Sequence, residues 1–127
     1  MTVSYKVVEK KHPFDASLPN KFYARAVSNG DTDLESLAEI ISTQCTVTST
    51  DCIAVLNSLE EGVIRELKQG RIVKLGKLGS FQISISSKGV ETKEEVNASA
   101  IKKAKIIFRP TKKMRSFLSS LSFSMMS

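Results

Sequence analysis

The feature that most constrains this fold is a run with a period of two, placed directly after two closely spaced glycines. Within FQISIS, residues 81–86, apolar and polar side chains alternate without interruption. Because successive side chains of a strand point to opposite sides of a sheet, this pattern predicts a strand with one apolar face and one polar face. An apolar sheet face must be covered by another layer of secondary structure.

The neighbouring stretches supply two further strands. In residues 72–75, Val73 and Leu75 alternate with Ile72 and Lys74, and the glycines at 76 and 79 can adopt the positive φ values that reverse a strand tightly. A third run, 103–109, places Ala104, Ile106 and Phe108 on one side. The other side carries Lys103, Lys105, Ile107 and Arg109. We therefore predict a three-stranded antiparallel sheet.

Residues 32–69 have helical periodicity and predict a helical hairpin that covers the sheet. Thr32 and Thr48 are each followed three residues later by an acidic residue, a spacing typical of a capped helix start, and Gly70 supplies the stop. The apolar stripe of the second helix comprises Cys52, Leu56, Leu59, Val63 and Leu67. This stripe is wide for one small sheet, which suggests that a second subunit shares the burial.

The remaining segments complete a single α+β domain over residues 1–127. Runs 3–11 and 21–28 predict two strands that pair as an N-terminal hairpin, and 88–98 has no buriable pattern and is expected to be an extended loop or arm. Pro110 is expected to begin a last helix that reaches Leu121. The predicted parts are a strand extension (1–30), a core (31–121) and a tail (122–127).

The charge is divided unevenly along the chain. Residues 1–67 carry a net charge of −4, whereas residues 68–115 carry 13 basic and 3 acidic side chains, a net charge of +10. A block of one sign concentrates positive potential on one part of the fold and indicates a polyanionic partner.

Other classes of function have little support in the sequence. The only histidine, His12, lies beside a proline, and no nucleophile or carboxylate pair has a plausible catalytic setting, so we predict no enzyme and no cofactor. Cys45 and Cys52 have no metal-ligand spacing and are expected to be buried thiols rather than a disulfide. The start of the sequence lacks a secretory signal, and no apolar run has membrane-spanning length, so we expect a cytoplasmic protein.

Several segments together resemble the HU/IHF family of bacterial histone-like DNA-binding proteins. LGKLGSF (75–81) resembles the family's Gly-x-Gly-x-Phe hairpin, and IIFRPTKKMRSFL (106–118) is similar to its Phe-Lys-x-Gly-Lys closing segment. The leading residues resemble the extra N-terminal strands of the longer HU-like proteins of Bacteroidetes. No single motif carries the resemblance, which rests on the order and spacing of all of them.

The resemblance implies an HU/IHF-like intertwined dimer with a helical base, a sheet saddle and an extended β-arm that follows the DNA minor groove. In this chain the arm departs from the family, because its usual proline wedge is replaced by an acidic stretch that includes Glu91, Glu94 and Glu95. Phosphates would repel these carboxylates, and no proline is available to unstack a base step. The expected dimer core is Leu56, Leu59, Val63, Phe81, Ile83, Ile106 and Phe108.

We therefore predict a nucleoid-associated protein that binds double-stranded DNA with low sequence preference and bends or compacts it. The partner chain is a second copy or a paralogue, and an RNA binder or a protein-interaction module without DNA binding are the alternatives. No membrane or small-molecule partner is expected. The predicted DNA-binding residues are Lys74, Lys77, Gln82, Ser84, Ser86, Lys88, Lys93, Lys102, Lys103, Lys105, Arg109, Lys112, Lys113 and Arg115.

Overall fold

The computed structural model describes residues 1–126, which form two compact units. The central unit comprises Leu34–Ser116. The second unit, called here the terminal unit, combines Met1–Asp33 with the segment from Phe117 onward. Together they give the mixed helix and sheet composition that the sequence predicts.

Two helices open the central unit. Helix α1 spans Leu34–Gln44 and helix α2 spans Ser49–Lys68. The predicted cap of α2 is confirmed, since the hydroxyl of Thr48 accepts a hydrogen bond from the Asp51 backbone N–H at 3.1 Å. The predicted cap of α1 is displaced by one residue, because Asp33 and not Thr32 precedes the helix, and aspartate is a strong residue for that position.

The end of α2 lies at the predicted glycine. Gly70 has a φ of +78°, its N–H donates to the Leu67 carbonyl at 3.0 Å, and the Arg71 N–H donates to the Glu66 carbonyl at 3.2 Å. This pair of bonds is the Schellman arrangement, which satisfies the last carbonyls of a helix and requires a left-handed residue.

The predicted three-stranded antiparallel sheet is present. It contains β3 (Val73–Lys74), β4 (Gly79–Ser87) and β5 (Ile101–Pro110), with β4 in the middle. The turn between β3 and β4 is closed by hydrogen bonds from Leu75 N to Gly79 O at 2.8 Å and from Leu78 N to Leu75 O at 3.0 Å. Gly76 and Gly79 both have the predicted positive φ.

The predicted extended β-arm is wrong for this structure. The ladder between β4 and β5 ends at the pair Ser87 and Ile101, and the Lys88 N–H donates to the Ala100 carbonyl at 2.9 Å, which closes residues 88–100 into a loop. The loop contains two 3-10 turns, Lys93–Glu95 and Ala98–Ala100. Its sequence lacks alternation, and polar side chains bond locally instead, as when the Asn97 side-chain carbonyl oxygen accepts from the Ser99 N–H at 2.9 Å.

The predicted long last helix from Pro110 to Leu121 is also wrong. Pro110 is the final residue of β5, α3 is a single turn at Lys112–Arg115, and Ser116–Ser120 is a 3-10 helix. Proline holds the residue before it in an extended conformation, so the strand continues through Arg109, and the α-helix begins only after Thr111. The serines that follow compete with the helix for backbone hydrogen bonds.

The terminal unit is a second sheet. Strands β1 (Val3–Lys10) and β2 (Lys21–Val27) form the predicted antiparallel hairpin. A third strand, β6 (Phe123–Met125), pairs in parallel with the other side of β1. Strand β6 lies within the predicted tail. Its three residues are too few to show an alternation that would predict a strand.

Burial within one chain is sparse. Among the apolar residues of 1–126, those that are buried are Ala38, Cys52, Leu67 and Ala100, and no large side chain in this range is fully enclosed. The expected burial of Cys45 is wrong, because Cys45 is exposed, although both cysteines are free. On α2 and the sheet, Ile64 is 54% exposed and Ile106 is 62% exposed. The apolar surface shared by α2 and the sheet therefore remains open to solvent.

Candidate nucleic-acid interface

The register of the central sheet brings the polar positions of three strands to one side. Lys74 lies opposite Ser80, which lies opposite Arg109, while Ser84 pairs with Lys105 and Ser86 with Lys103. Cross-strand partners and residues two positions apart share a face. This surface is called here the sheet face, and its polar members are Lys74, Ser80, Gln82, Ser84, Ser86, Lys103, Lys105 and Arg109.

The sheet face combines exposed cations with short polar groups. The side chains of Lys103, Lys105 and Arg109 are exposed, and the sheet-face residues of β4 are half-buried except for Ser86, which is exposed. Alternate residues of a strand are separated by roughly 7 Å, which is the scale of phosphate spacing along a nucleic-acid strand. The one break in polarity is Ile107, which is half-buried opposite Gln82.

Within residues 1–126, no carboxylate forms an ion pair with the sheet face. The ion pair found in residues 1–126 joins Arg71, just after α2, to Glu66 in the last turn of that helix. The guanidinium nitrogen and the carboxylate oxygen are 2.6 Å apart. The acidic residues between 68 and 115 are Glu91, Glu94 and Glu95, all in the loop after β4. The cations of the face are therefore available to an external anion.

Thr111 connects the β3–β4 turn to α3. Its hydroxyl donates to the Lys77 carbonyl, and the same oxygen accepts from the Met114 N–H at 3.0 Å. Its own N–H donates to the Leu78 carbonyl at 3.2 Å. These bonds hold Lys77 beside the start of α3, and Lys74, Arg109 and Thr111 line one shallow depression.

Three of the predicted binding residues lie on α3. Lys112, Lys113 and Arg115 are exposed, but α3 has a single turn and Thr111 already occupies the Met114 N–H. These three side chains add positive charge next to the sheet face.

Apart from Lys77 in the β3–β4 turn and the three basic residues of α3, three of the predicted binding residues lie outside the sheet face. Lys102 is the extra residue of the β-bulge between the pairs Ser86–Lys103 and Ser87–Ile101, so the alternation does not assign it to a face. Lys88 and Lys93 belong to the closed loop, where Lys93 is followed directly by two glutamates.

One polar member of the sheet face, Ser80, is absent from the residues predicted from sequence. This residue is half-buried and lies between Lys74 and Arg109 in the register, at the centre of the cationic end of the sheet face. The alternation of β4 extends two residues before Gln82 and would have indicated Ser80. Because Ser80 directly follows Gly79, however, it was assigned to the turn and not to the strand.

Four residues of the predicted dimer core, Phe81, Ile83, Ile106 and Phe108, lie together on the opposite side of the sheet. The rings of Phe81 and Phe108 have centroids 5.0 Å apart and are tilted by 52°. Ile83 and Ile106 line an open apolar depression with Leu67, and Leu59, Val63 and Phe81 line a second one. The structure thus separates a cationic side of the sheet from an uncovered apolar side.

Metal-ligating clusters and membrane-spanning helices are both absent from residues 1–126. No group of three or more side chains of the metal-ligating types lies close enough to hold an ion. In the same residues, none of the helices has both the length and the apolar character needed to span a bilayer.

A comparison with protein-family models shows to which family this chain belongs. The model for HU-HIG, described as an HU domain fused to wHTH, Ig, or glycine-rich motif, matches residues 1–125. The chain belongs to the HU-HIG family. The predicted resemblance to HU proteins is therefore confirmed over nearly the whole chain.

Solved structures share the fold of this HU-HIG chain. A Bacteroides vulgatus protein with a provisional assignment as a bacterial DNA-binding protein matches 98% of this chain with a TM-score of 0.65 and 13% identity. The match covers 48% of that protein, so the present chain spans about half its length. Anabaena HU, crystallised with DNA, matches 69% of this chain and 98% of its own, with a TM-score of 0.53 and 19% identity. No curated protein matches the sequence.

Proposed function

We propose that this HU-HIG chain is a non-enzymatic, histone-like protein that binds duplex DNA through the sheet face with low sequence preference. The observation that carries the proposal is the register, which brings Lys74, Lys103, Lys105 and Arg109 to one face without a carboxylate partner. Membership of a family built on an HU domain supports it, as does the fold shared with Anabaena HU, which was crystallised with DNA.

The physical basis of binding is neutralisation of phosphates. Duplex DNA is a dense line of negative charge, and each phosphate that a lysine or arginine contacts releases condensed counterions. The hydroxyls of Ser80, Ser84 and Ser86 are short donors that let a groove edge approach the sheet closely. Such contacts fix the position of a duplex but do not read its bases, so sequence preference arises from DNA shape and deformability.

We further propose that the functional unit is a dimer and that it acts on nucleoid DNA. A second chain would cover the open apolar surface of α2 and the sheet, where Leu59 is 47% exposed and Ile106 is 62% exposed. A homodimer is the simplest form, and a paralogue with the same apolar surface is an equivalent partner.

Bending without intercalation is the expected mode of DNA distortion. The loop at 88–100 contains no proline and carries three glutamates, so it offers no wedge for a base step. Any bending therefore depends on phosphate contacts of the sheet face. Energy transfer across an end-labelled duplex is expected to show less bending than a wedge-containing HU protein produces under the same conditions.

A salt titration tests the proposal. Binding to a fluorescent duplex is measured by anisotropy from about 50 mM to about 200 mM salt, over which phosphate-driven binding weakens steeply. In K103Q/K105Q/R109Q the slope of log affinity against log salt decreases by about 0.9 for each phosphate that is no longer neutralised, or roughly 3 per chain.

The matched control is K11Q/R65Q/K68Q, which removes the same charge from exposed positions outside the sheet face. An equal loss in both variants would mean that net charge and not the sheet face drives binding. Duplex RNA is measured in parallel, and tighter binding to RNA than to DNA would replace the proposed ligand.

A further inference from the structure

A second cationic face occurs on the β1–β2 hairpin of the terminal unit. The register pairs Lys6 with Arg25 and Lys10 with Lys21, and these residues share one side of the hairpin with Tyr23. All five side chains are exposed. This surface is called here the hairpin face.

The hairpin face places like charges directly opposite each other. Cβ atoms of cross-strand partners are only about 5 Å apart, and like charges at this distance destabilise a hairpin. Glu9 is the acidic residue of β1, and it lies on the other side of the strand. Its carboxylate accepts a hydrogen bond from the Asn20 side-chain amide at 3.0 Å. Two such pairs, with which no carboxylate of residues 1–126 forms an ion pair, are unfavourable for folding, and an external anion would relieve their repulsion.

Tyr23 gives the hairpin face an exposed ring between its cations. It is 46% exposed, and the Nζ atom of Lys10 lies 5.6 Å from the centroid of its ring. Val8, which is half-buried, faces Tyr23 across the strands. An exposed ring among cations can lie against a sugar while the lysines reach the phosphates on either side.

We propose that the hairpin face is a second DNA-backbone binding surface, separate from the sheet face. Duplex DNA carries about one negative charge per 1.7 Å of its axis, a density sufficient to relieve repulsion within both cation pairs at once. This proposal goes beyond the proposed function, since it assigns DNA as a ligand to the β1–β2 hairpin, which precedes the helices.

The experiment compares K6Q/R25Q with R65Q/K68Q, which removes the same charge from the last turn of α2. DNA binding is measured by anisotropy as a function of salt, and thermal unfolding is followed by far-UV circular dichroism. K6Q/R25Q is expected to decrease the salt slope by about 0.9 for each phosphate that is no longer neutralised, roughly 2 per chain, while its melting temperature stays equal to that of the unmodified chain or rises. A slope equal to that of R65Q/K68Q would overturn the proposal.

A second variant keeps the test decisive if the glutamines disturb the strands. K6E places a carboxylate opposite Arg25, so it replaces a repulsive pair with an attractive one and is expected to stabilise the hairpin. It nevertheless weakens DNA binding if the hairpin face binds phosphates. A more stable K6E with unchanged affinity would show that the pairs have no role in DNA binding.

The two binding surfaces can be judged separately. If K103Q/K105Q/R109Q loses DNA binding and K6Q/R25Q behaves as R65Q/K68Q does, DNA binding by the sheet face is supported and DNA binding by the hairpin face is refuted. If only K6Q/R25Q loses DNA binding, DNA binding by the hairpin face is supported and DNA binding by the sheet face is refuted. Tighter binding of the unmodified chain to anionic lipid vesicles than to duplex DNA, lost in K6Q/R25Q, would refute DNA as the ligand of the hairpin face.

Discussion

Replacing Gly79 with alanine tests how closely β4 and β5 pack at the end of the central sheet next to the β3–β4 turn. Gly79 is buried at the start of β4. A Cβ atom there would lie 2.5 Å from the Arg109 carbonyl oxygen and 2.7 Å from the nearest atom of the Phe108 ring. The first of these neighbours is backbone, so it cannot move aside without a shift of the strand.

The cost follows from that geometry. Ordinary contact begins at 3.4 Å, so the two strands must separate by about 0.9 Å. Overpacking of this kind costs about 1–3 kcal/mol, and loss of the 2.8 Å bond from Leu75 N to Gly79 O adds about 1 kcal/mol. We expect G79A to lower the free energy of unfolding by about 3 kcal/mol, which corresponds to a decrease of roughly 10 °C in melting temperature.

The assay is urea unfolding followed by far-UV circular dichroism, since the chain contains no tryptophan. All variants are measured at one protein concentration, because the apparent stability of an oligomer depends on it. G76A is the matched control, since Gly76 has a φ of +54° but no atom within 4 Å of an added Cβ. Its cost is the left-handed backbone alone, about 1–2 kcal/mol. Equal destabilisation by G79A and G76A would refute the close approach of β4 and β5.

Two other substitutions test the open apolar surface and the connection to α3. I64E places a charge on a side chain that is 54% exposed in the single chain, so a monomer would tolerate it, whereas the proposed dimer is expected to dissociate or unfold in light-scattering measurements. T111V removes the hydroxyl that bonds the Lys77 carbonyl and the Met114 N–H, and is expected to cost about 1–2 kcal/mol in urea unfolding. T111S, which retains the hydroxyl, is expected to restore most of this loss.

The two faces of the central sheet were predictable because the period of a strand is a local property of the sequence. Alternation from Phe81 to Ser86 and from Lys103 to Arg109 assigned each side chain to a side, and pairing then required only a consistent register. The capped start at Thr48 and the glycine stop after α2 were predictable for the same reason, since each depends on a few adjacent residues.

The elements that were mispredicted depend on competition between local preferences. Apolar spacing after Pro110 suggested a long helix, but the cap at Thr111 and the following serines limit α3 to one turn. The arm was expected from the family resemblance, whereas the local bonds of Asn97 favour turns. Strand β6 was missed because its partner, β1, lies at the other end of the sequence, and no local pattern encodes a distant parallel pairing.

That pairing sets an order of folding for the terminal unit. Pairing of strands β1 and β2 requires no residue after Val27, but an isolated two-stranded hairpin is only marginally stable in water. Its third strand comes from residues 123–125, and the hydroxyls of Thr2 and Ser124, which are 3.1 Å apart, are separated by 122 positions. Until residues 123–125 have been synthesised, the cationic hairpin therefore lacks the strand that stabilises it.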